Sequence, residues 1–265
     1  MATDVVRPCR SCGGRDVAVV LDLGPQPIAD IMPRQGDIPA RASTFPLRLG
    51  VCPSCWLVQL TDDVEVRAGV HGHGARYSTS VTSATNAWLD ELTARLGLGP
   101  GQVVGTIGDA AGDLATRFAA LGVRATALDH VAAGRVADLI VAHHALAHVD
   151  QLDQVIRTIS AALAPRGAAA IEFHDVLGVV AGGQFDIACH AHRSYLSLTS
   201  LTTALERHGL TIQDAVRVDT YGGSIRAIVR HRATAERWSI TATGVQPMLE
   251  PTIRPGSNSS ALRSA

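Results

Sequence analysis

Residues Val103–Leu114 read V-V-G-T-I-G-D-A-A-G-D-L, and this stretch decides the fold. Val103, Val104 and Ile107 make the short apolar run of a buried strand. Gly108 and Gly112 mark the turn after it, and apolar residues then recur at helical spacing over 113–121. Strand, glycine turn and helix together open a nucleotide-binding α/β unit. Glycine lets the backbone come close to a ligand, and a helix N-terminus presents unpaired N–H groups. Gly108, Asp109 and Gly112 are therefore candidate cofactor-binding residues. The next apolar run, 123–128, ends at Asp129, whose carboxylate is placed to hold ribose hydroxyls. Glycine turns after strands are common to α/β proteins, so this motif specifies the fold more firmly than the ligand.

Downstream, only eight residues separate Asp129 from Asp138, which opens the apolar run 139–142. A full crossover with its helix needs more chain than that, so the sheet is expected to be abbreviated by one repeat unit. His143, His144 and His148 follow, at the carboxyl edge where α/β proteins bind ligands. On a helix His144 and His148 would share a face. No glutamate follows the first, so this is not the zinc-protease pattern. Packing against a cofactor or the core is one reading, with His148 the candidate cofactor contact; catalysis is the other. A helix is expected over 150–163, closed by Pro165 and Gly167, and a buried strand over 168–173. Residues Phe185–Tyr195, F-D-I-A-C-H-A-H-R-S-Y, place two histidines, a thiol and a phenol within seven positions, the densest reactive cluster in the chain. A helix over 198–208, a strand over 211–218 and the turn Tyr221-Gly222-Gly223 lead into a last strand over 225–230.

Upstream, Cys9-Arg10-Ser11-Cys12 and Cys52-Pro53-Ser54-Cys55 pair four of the five cysteines. Two C-x-x-C turns complete a four-thiolate shell, which suits zinc in a structural role because no coordination position remains for substrate. The alternative is four buried or free thiols. Strand-like runs at 17–23 and 45–51 would tie the knuckles into a small ribbon. The stretch 61–79 is polar and glycine-rich, with His71, His73 and Tyr77, and reads as a linker before an amphipathic helix over 86–96. The expected organisation is a zinc-binding β module at 1–60, linker and helix at 61–100, an α/β domain at 101–243 and a disordered tail at 244–265.

The chain has 265 residues, 46% apolar and 18% charged, with a formal net charge of −1. That balance gives no electrostatic reason to expect nucleic acid or an anionic membrane as partner. The beginning of the chain lacks the basic-then-apolar layout of a signal peptide, which makes the cytoplasm the default location.

The order of these pieces resembles the zinc-containing, S-adenosylmethionine-dependent C-methyltransferases of deoxysugar biosynthesis, which act on nucleotide-linked ketosugars. The matching stretches are C-R-S-C (9–12), L-D-L-G-P-Q-P-I-A-D (21–30), F-P-L-R-L-G-V-C-P-S-C (45–55), Arg76-Tyr77-Ser78, Ala147-His148-Val149, Phe185–Tyr195 and G-G-S-I-R (222–226). The resemblance implies a methyltransferase-like, Rossmann-like α/β sheet behind a zinc module. It also implies a reaction in which a carbon beside a ketone loses a proton and the enolate attacks a methyl sulfonium. By position in the family's histidine motif, His192 would be the base, His190 its support, Tyr77 a substrate-facing phenol and Tyr195 an anchor of the turn. The chain departs from the family at Thr106, where an acidic residue is usual, and at Ala110-Ala111, where the family has Asn-Asp. It departs again at Cys189 and Ala191, which replace a tyrosine and a glutamate; the family's large C-terminal domain is not matched either. Each lost polar group removes a hydrogen bond worth roughly 0.5–1.5 kcal/mol, so the cofactor pocket is expected to be weakened. Two functions follow as expectations. One is a methyltransferase of antibiotic-type secondary metabolism. The other is a fold repurposed, without S-adenosylmethionine, as one subunit of a heteromeric enzyme that closes a small ring such as an aziridine. A non-catalytic stabilising subunit is a third.

Overall fold

The computed structural model describes residues 6–29, 43–64, 79–108, 111–128 and 136–235. The N-terminal unit contributes β1 (Ala18–Pro27), β2 (Thr44–Val51) and β3 (Val58–Leu60), joined antiparallel in that order. Helix α1 (Thr79–Leu96) then leads to β4 (Val103–Ile107), α2 (Ala111–Ala119), β5 (Arg124–Ala127) and β6 (Ala137–His143). The chain continues through α3 (Leu152–Ala162), β7 (Leu163–His174), α4 (Val176–Ala181) and β8 (Ser194–Tyr195). It ends in α5 (Leu198–Glu206), β9 (Leu210–Val218) and β10 (Ser224–His231).

The larger sheet runs β5-β4-β6-β7-β10-β9. Its first four strands are parallel, and β10 lies antiparallel to both β7 and β9. The chain leaves β4 for β5 on one side and reaches β6 on the other, so the strand order reverses between β4 and β6. A crevice opens at the carboxyl ends of the strands at such a point. Successive residues of β6 serve opposite layers. Leu139 and Val141 pack with Trp88, Leu89 and Leu92 of α1 and with Leu114 and Phe118 of α2. Ile140 and Ala142 pack with Ile156 and Ile159 of α3 and with Leu201 and Leu205 of α5. This near-continuous apolar patterning is what a strand buried on both faces requires.

Several elements differ from the sequence expectation. Helix α1 begins at Thr79, seven residues before the amphipathic pattern becomes clear, because its first two turns carry mostly small polar side chains. Strand β7 begins directly at the end of α3 and carries Pro165 and Gly167 within it, where the sequence predicts a break. His144 and His148 do not share a helix face. His144 is left-handed (φ 52°) and only a single 3-10 turn, Ala145–Ala147, lies between them.

The small sheet is completed from far along the chain. Its order is β1-β2-β3-β8, with Val58 opposite Tyr195 and Gln59 opposite Ser194. Charged contacts fasten the N-terminal unit to the larger domain as well. Arg10, buried, donates to Asp150 Oδ1 (2.7 Å) and to the Asp150 carbonyl (2.9 Å), while Gln59 Oε1 accepts from its backbone N–H (2.7 Å). Arg193 reaches the same carboxylate at 2.8 Å and Arg7 reaches it at 3.2 Å. Among the described residues no helix is long and apolar enough to cross a membrane.

Candidate functional site

The cysteine knuckles converge as their spacing predicts. Cys9 Sγ lies 3.4 Å from Cys55 Sγ, Cys12 Sγ lies 3.4 Å from Cys52 Sγ, and all four sulfurs lie within 4.8 Å of one another. A tetrahedral zinc–thiolate shell with bonds of about 2.3 Å needs neighbouring sulfurs about 3.8 Å apart, so the set fits zinc. Each knuckle is closed by backbone bonds: Gly13 N–H to Cys9 O at 2.9 Å, and Trp56 N–H to Cys52 O at 2.8 Å. A hydrogen bond shared with Cys55 pulls Cys9 below the ordinary thiol value against the opposing effect of burial. Zinc bound here would brace the small sheet, on which part of the second cluster rests.

That second cluster lies at the carboxyl edge of the large sheet. His143 ends β6, His174 ends β7, and Tyr221 precedes β10, whose Ser224 pairs with His174. The His144 ring lies 4.4 Å from the His174 ring and 4.5 Å from the Tyr221 ring. His192 extends the row, 5.8 Å from His174 and 4.9 Å from His148, centroid to centroid. Gly108, after β4, opens onto the same edge. Its φ is +84°, and a side chain there would put its Cβ only 2.9 Å from Ala145 Cβ, so the turn closes directly on the segment after β6. Gly108 therefore meets the segment after β6, and that segment reaches the His192 ring through His148.

Backbone carbonyls fix the imidazoles. His192 Nδ1 donates to Ile187 O (2.8 Å) and His148 Nδ1 donates to Ala191 O (3.1 Å). A carbonyl can only accept, so both rings carry a proton on Nδ1. His190 sits elsewhere. It is buried, and its Nε2 donates to the carbonyls of Phe45 (3.3 Å) and Pro46 (3.2 Å) on β2, which ties the histidine segment to the small sheet. The Tyr195 hydroxyl closes the same turn, donating to Cys189 O (3.3 Å) and accepting from Cys189 N–H (3.2 Å), and burial pushes its pKa up. Burial would raise the Cys189 thiol too, but its hydrogen bond with His192 brings it below its ordinary value.

Glu172 is the charged centre that motif spacing does not reveal. It is fully buried in β7 and accepts from Thr220 Oγ1 (2.7 Å) and Arg226 Nε (3.0 Å). Burial would raise its pKa, but His144, Thr220, His143 and Arg226 together hold it at about 2. The Arg226 guanidinium stacks on Trp88, 4.8 Å from the ring centroid, which carries the network to α1. Burial, with the neighbouring imidazoles, drops His143 to about 4 and His174 to about 3, so both are neutral at ordinary pH. A signal for Glu172 does exist in the sequence, since a lone carboxylate inside A-A-A-I-E-F needs a buried partner.

Of the remaining expected site residues, Tyr77, Asp109 and Asp129 lie outside the described residues, and Gly112 falls in the first turn of α2. Gly108 and the backbone start of α2 are the described parts of the stretch that would face S-adenosylmethionine. Thr106, in place of the acidic residue, is buried and its hydroxyl donates to the Thr126 carbonyl at 3.2 Å.

Residues 9–67 match a methyltransferase-associated family described as "Putative zinc binding domain". The C-methyltransferase NovU of Streptomyces niveus is 31% identical over 255 residues, covering 84% of this chain and 61% of the relative. The chain thus spans less than two thirds of that relative's length. Among solved structures, the magnesium protoporphyrin IX methyltransferase of Synechocystis PCC 6803 is similar at 15% identity and a TM-score of 0.43, over 64% of this chain and 90% of the other. The 1,6-didemethyltoxoflavin-N1-methyltransferase of Burkholderia thailandensis is similar at 20% identity and a TM-score of 0.40, over 66% and 95%. Over most of its own length the chain is thus similar to a C-methyltransferase, and it carries the matched zinc-binding domain ahead of a mixed α/β sheet.

Proposed function

We propose that the chain performs base-assisted chemistry at an acidic carbon of a small-molecule, secondary-metabolite substrate, with His192 as the base. The observation that carries this reading is the placement of His192. Its Nδ1–H is engaged by Ile187 O, which orients a ring that packs among His148, His174 and Tyr195 at the carboxyl edge of the sheet. A positioned general base contributes about 10²–10⁴-fold to such a step. S-adenosylmethionine, when bound, would supply an electrophilic methyl group. The chain's own residues would abstract the proton, hold the carbanion and keep water out.

The engagement of Thr106 by the Thr126 carbonyl favours a second reading. In it the same base serves an intramolecular substitution without S-adenosylmethionine, as part of a heteromeric enzyme. Orientation of an internal nucleophile for in-line attack is then the main contribution of the fold.

Incubating the zinc-loaded chain in D2O with a nucleotide-linked ketosugar tests the base directly. Deuterium should enter beside the carbonyl, and His192→Ala should slow that entry at least a hundredfold. Undiminished exchange in the variant would remove His192 from the role. Calorimetric titration with S-adenosylmethionine separates the readings: binding supports the first and its absence the second.

A further inference from the structure

We infer that His143, His144 and Glu172 form a second metal site, taking a divalent first-row transition ion and distinct from the four-cysteine shell. One ligand atom from each lies within 4.8 Å of the others. His144 Nε2 stands 3.4 Å from Glu172 Oε1, and His143 Nε2 stands 3.7 Å from Glu172 Oε2. Those separations are long for charge-assisted hydrogen bonds. Neighbouring ligands around one ion with bonds of about 2.0–2.2 Å are roughly 3–3.6 Å apart, a spacing that the His144 pair meets and the His143 pair just exceeds.

The state of the side chains points the same way. The buried Nδ1 of His144 makes no hydrogen bond while its Nε2 faces Glu172 Oε1 at 3.4 Å, and Nε2 of His174, whose ring lies 4.4 Å away, has no hydrogen-bond partner. An unsatisfied buried imidazole costs free energy unless something occupies the space it faces. His144 is also held left-handed (φ 52°), and so is Tyr221 (φ 52°), whose ring meets it at 4.5 Å. Two of the three non-glycine residues with positive φ among the described residues therefore meet at this point, and strain of that kind collects at functional positions.

The carboxylate is supported as a ligand would be. Thr220 and Arg226 each fix one Glu172 oxygen, and an ion would take His143 Nε2 in place of its 3.3 Å contact with Thr85 Oγ1. Outer partners of this sort orient ligands around an ion. Two imidazoles and a carboxylate suit Zn2+, Co2+, Fe2+ or Mn2+ rather than a soft or a purely oxygen-seeking ion. The Arg226 charge opposes a dication, so this site binds more weakly than the thiolate shell and fills after it. Polarisation of a substrate oxygen by the ion would rest on the function proposed above; its binding does not.

The test starts from the full chain carrying one zinc in the thiolate shell, titrated with Co(II) and followed by visible absorption. One further equivalent should bind, with d–d bands but no thiolate-to-cobalt charge transfer. Glu172→Gln and His144→Gly should lose that equivalent while keeping the zinc and the circular dichroism of the parent. Glycine is chosen at 144 because it keeps the left-handed backbone at no steric cost. If Glu172→Gln does not fold, His144→Gly decides alone. The inference is overturned if no second equivalent binds, if charge transfer shows cobalt only on the cysteines, or if the folded variants retain the second equivalent.

Discussion

The junction between the zinc module and the α/β domain depends on Arg10, and its removal has a calculable effect. Its side chain is 1% exposed and donates to Asp150 Oδ1 at 2.7 Å and to Asp150 O at 2.9 Å. The carboxylate would not be orphaned by the loss, because Arg193 and Arg7 also hold it, and it is half-exposed. The charged bond is therefore worth about 1 kcal/mol rather than the roughly 1.5–3 of a dry one, and the carbonyl bond adds about 1 more. Burial of the guanidinium, which brings Arg10 down to about 10, offsets part of this sum. Arg10→Met, which keeps most of the volume, should cost about 1–2 kcal/mol. Arg10→Ala also gives up two or three buried methylenes, at about 0.8 kcal/mol each, and should cost about 3–4 kcal/mol. Urea denaturation of zinc-saturated protein, followed by tryptophan fluorescence, measures both. A methionine variant within about 0.5 kcal/mol of the parent would refute the idea that hydrogen bonds from Arg10 secure the module.

Two further outcomes follow from the geometry. Gly108→Ala places a methyl 2.9 Å from Ala145 Cβ at a φ of +84°, and should lower stability by about 2 kcal/mol in thermal melts; adding Ala145→Gly should restore the part due to the clash, and no recovery would locate the whole effect in the backbone. Asp150 and Asp153 sit below the usual carboxylate range: partial burial raises both, but Arg10, Arg7 and Arg193 around the first, and His208 and Arg207 around the second, outweigh it. Carboxylates depressed in the folded state stabilise it fully above their unfolded value of about 3.9 and lose that contribution as pH falls below it. Acid unfolding should therefore steepen below about pH 4, and Asp150→Asn should flatten that limb.

Much of the architecture is legible in local pattern. The two cysteine pairs announce themselves by spacing, and strand β4 with its glycine turn locates the crevice without help from the rest of the chain. The shortness of the chain after Asp129 foretells a sheet with one repeat unit fewer, and among the described residues β5 is the last strand on that side. What local pattern does not show is which histidines meet. His190 and His192 are two apart and share one motif, yet one ring is fixed by carbonyls of β2 and the other joins the row at the sheet edge. That division depends on β8 pairing with β3, a contact no window of sequence contains. Glu172 and His174 are hidden for a related reason. They sit in an apolar strand, and their partners Thr220, Tyr221 and Arg226 arrive from the turn before β10 and from β10 itself.

The remote origin of β8 bears on how the molecule is made. Its partner strand is more than a hundred residues earlier, so on the ribosome the cysteine ribbon emerges long before the edge that completes it. An ion can be captured early by the nascent ribbon, but the open edge of β3 must wait for most of the α/β domain to be synthesised. Until then the edge of β3 stays unpaired, and its brevity, three residues, is what limits its pairing with another chain in the interval.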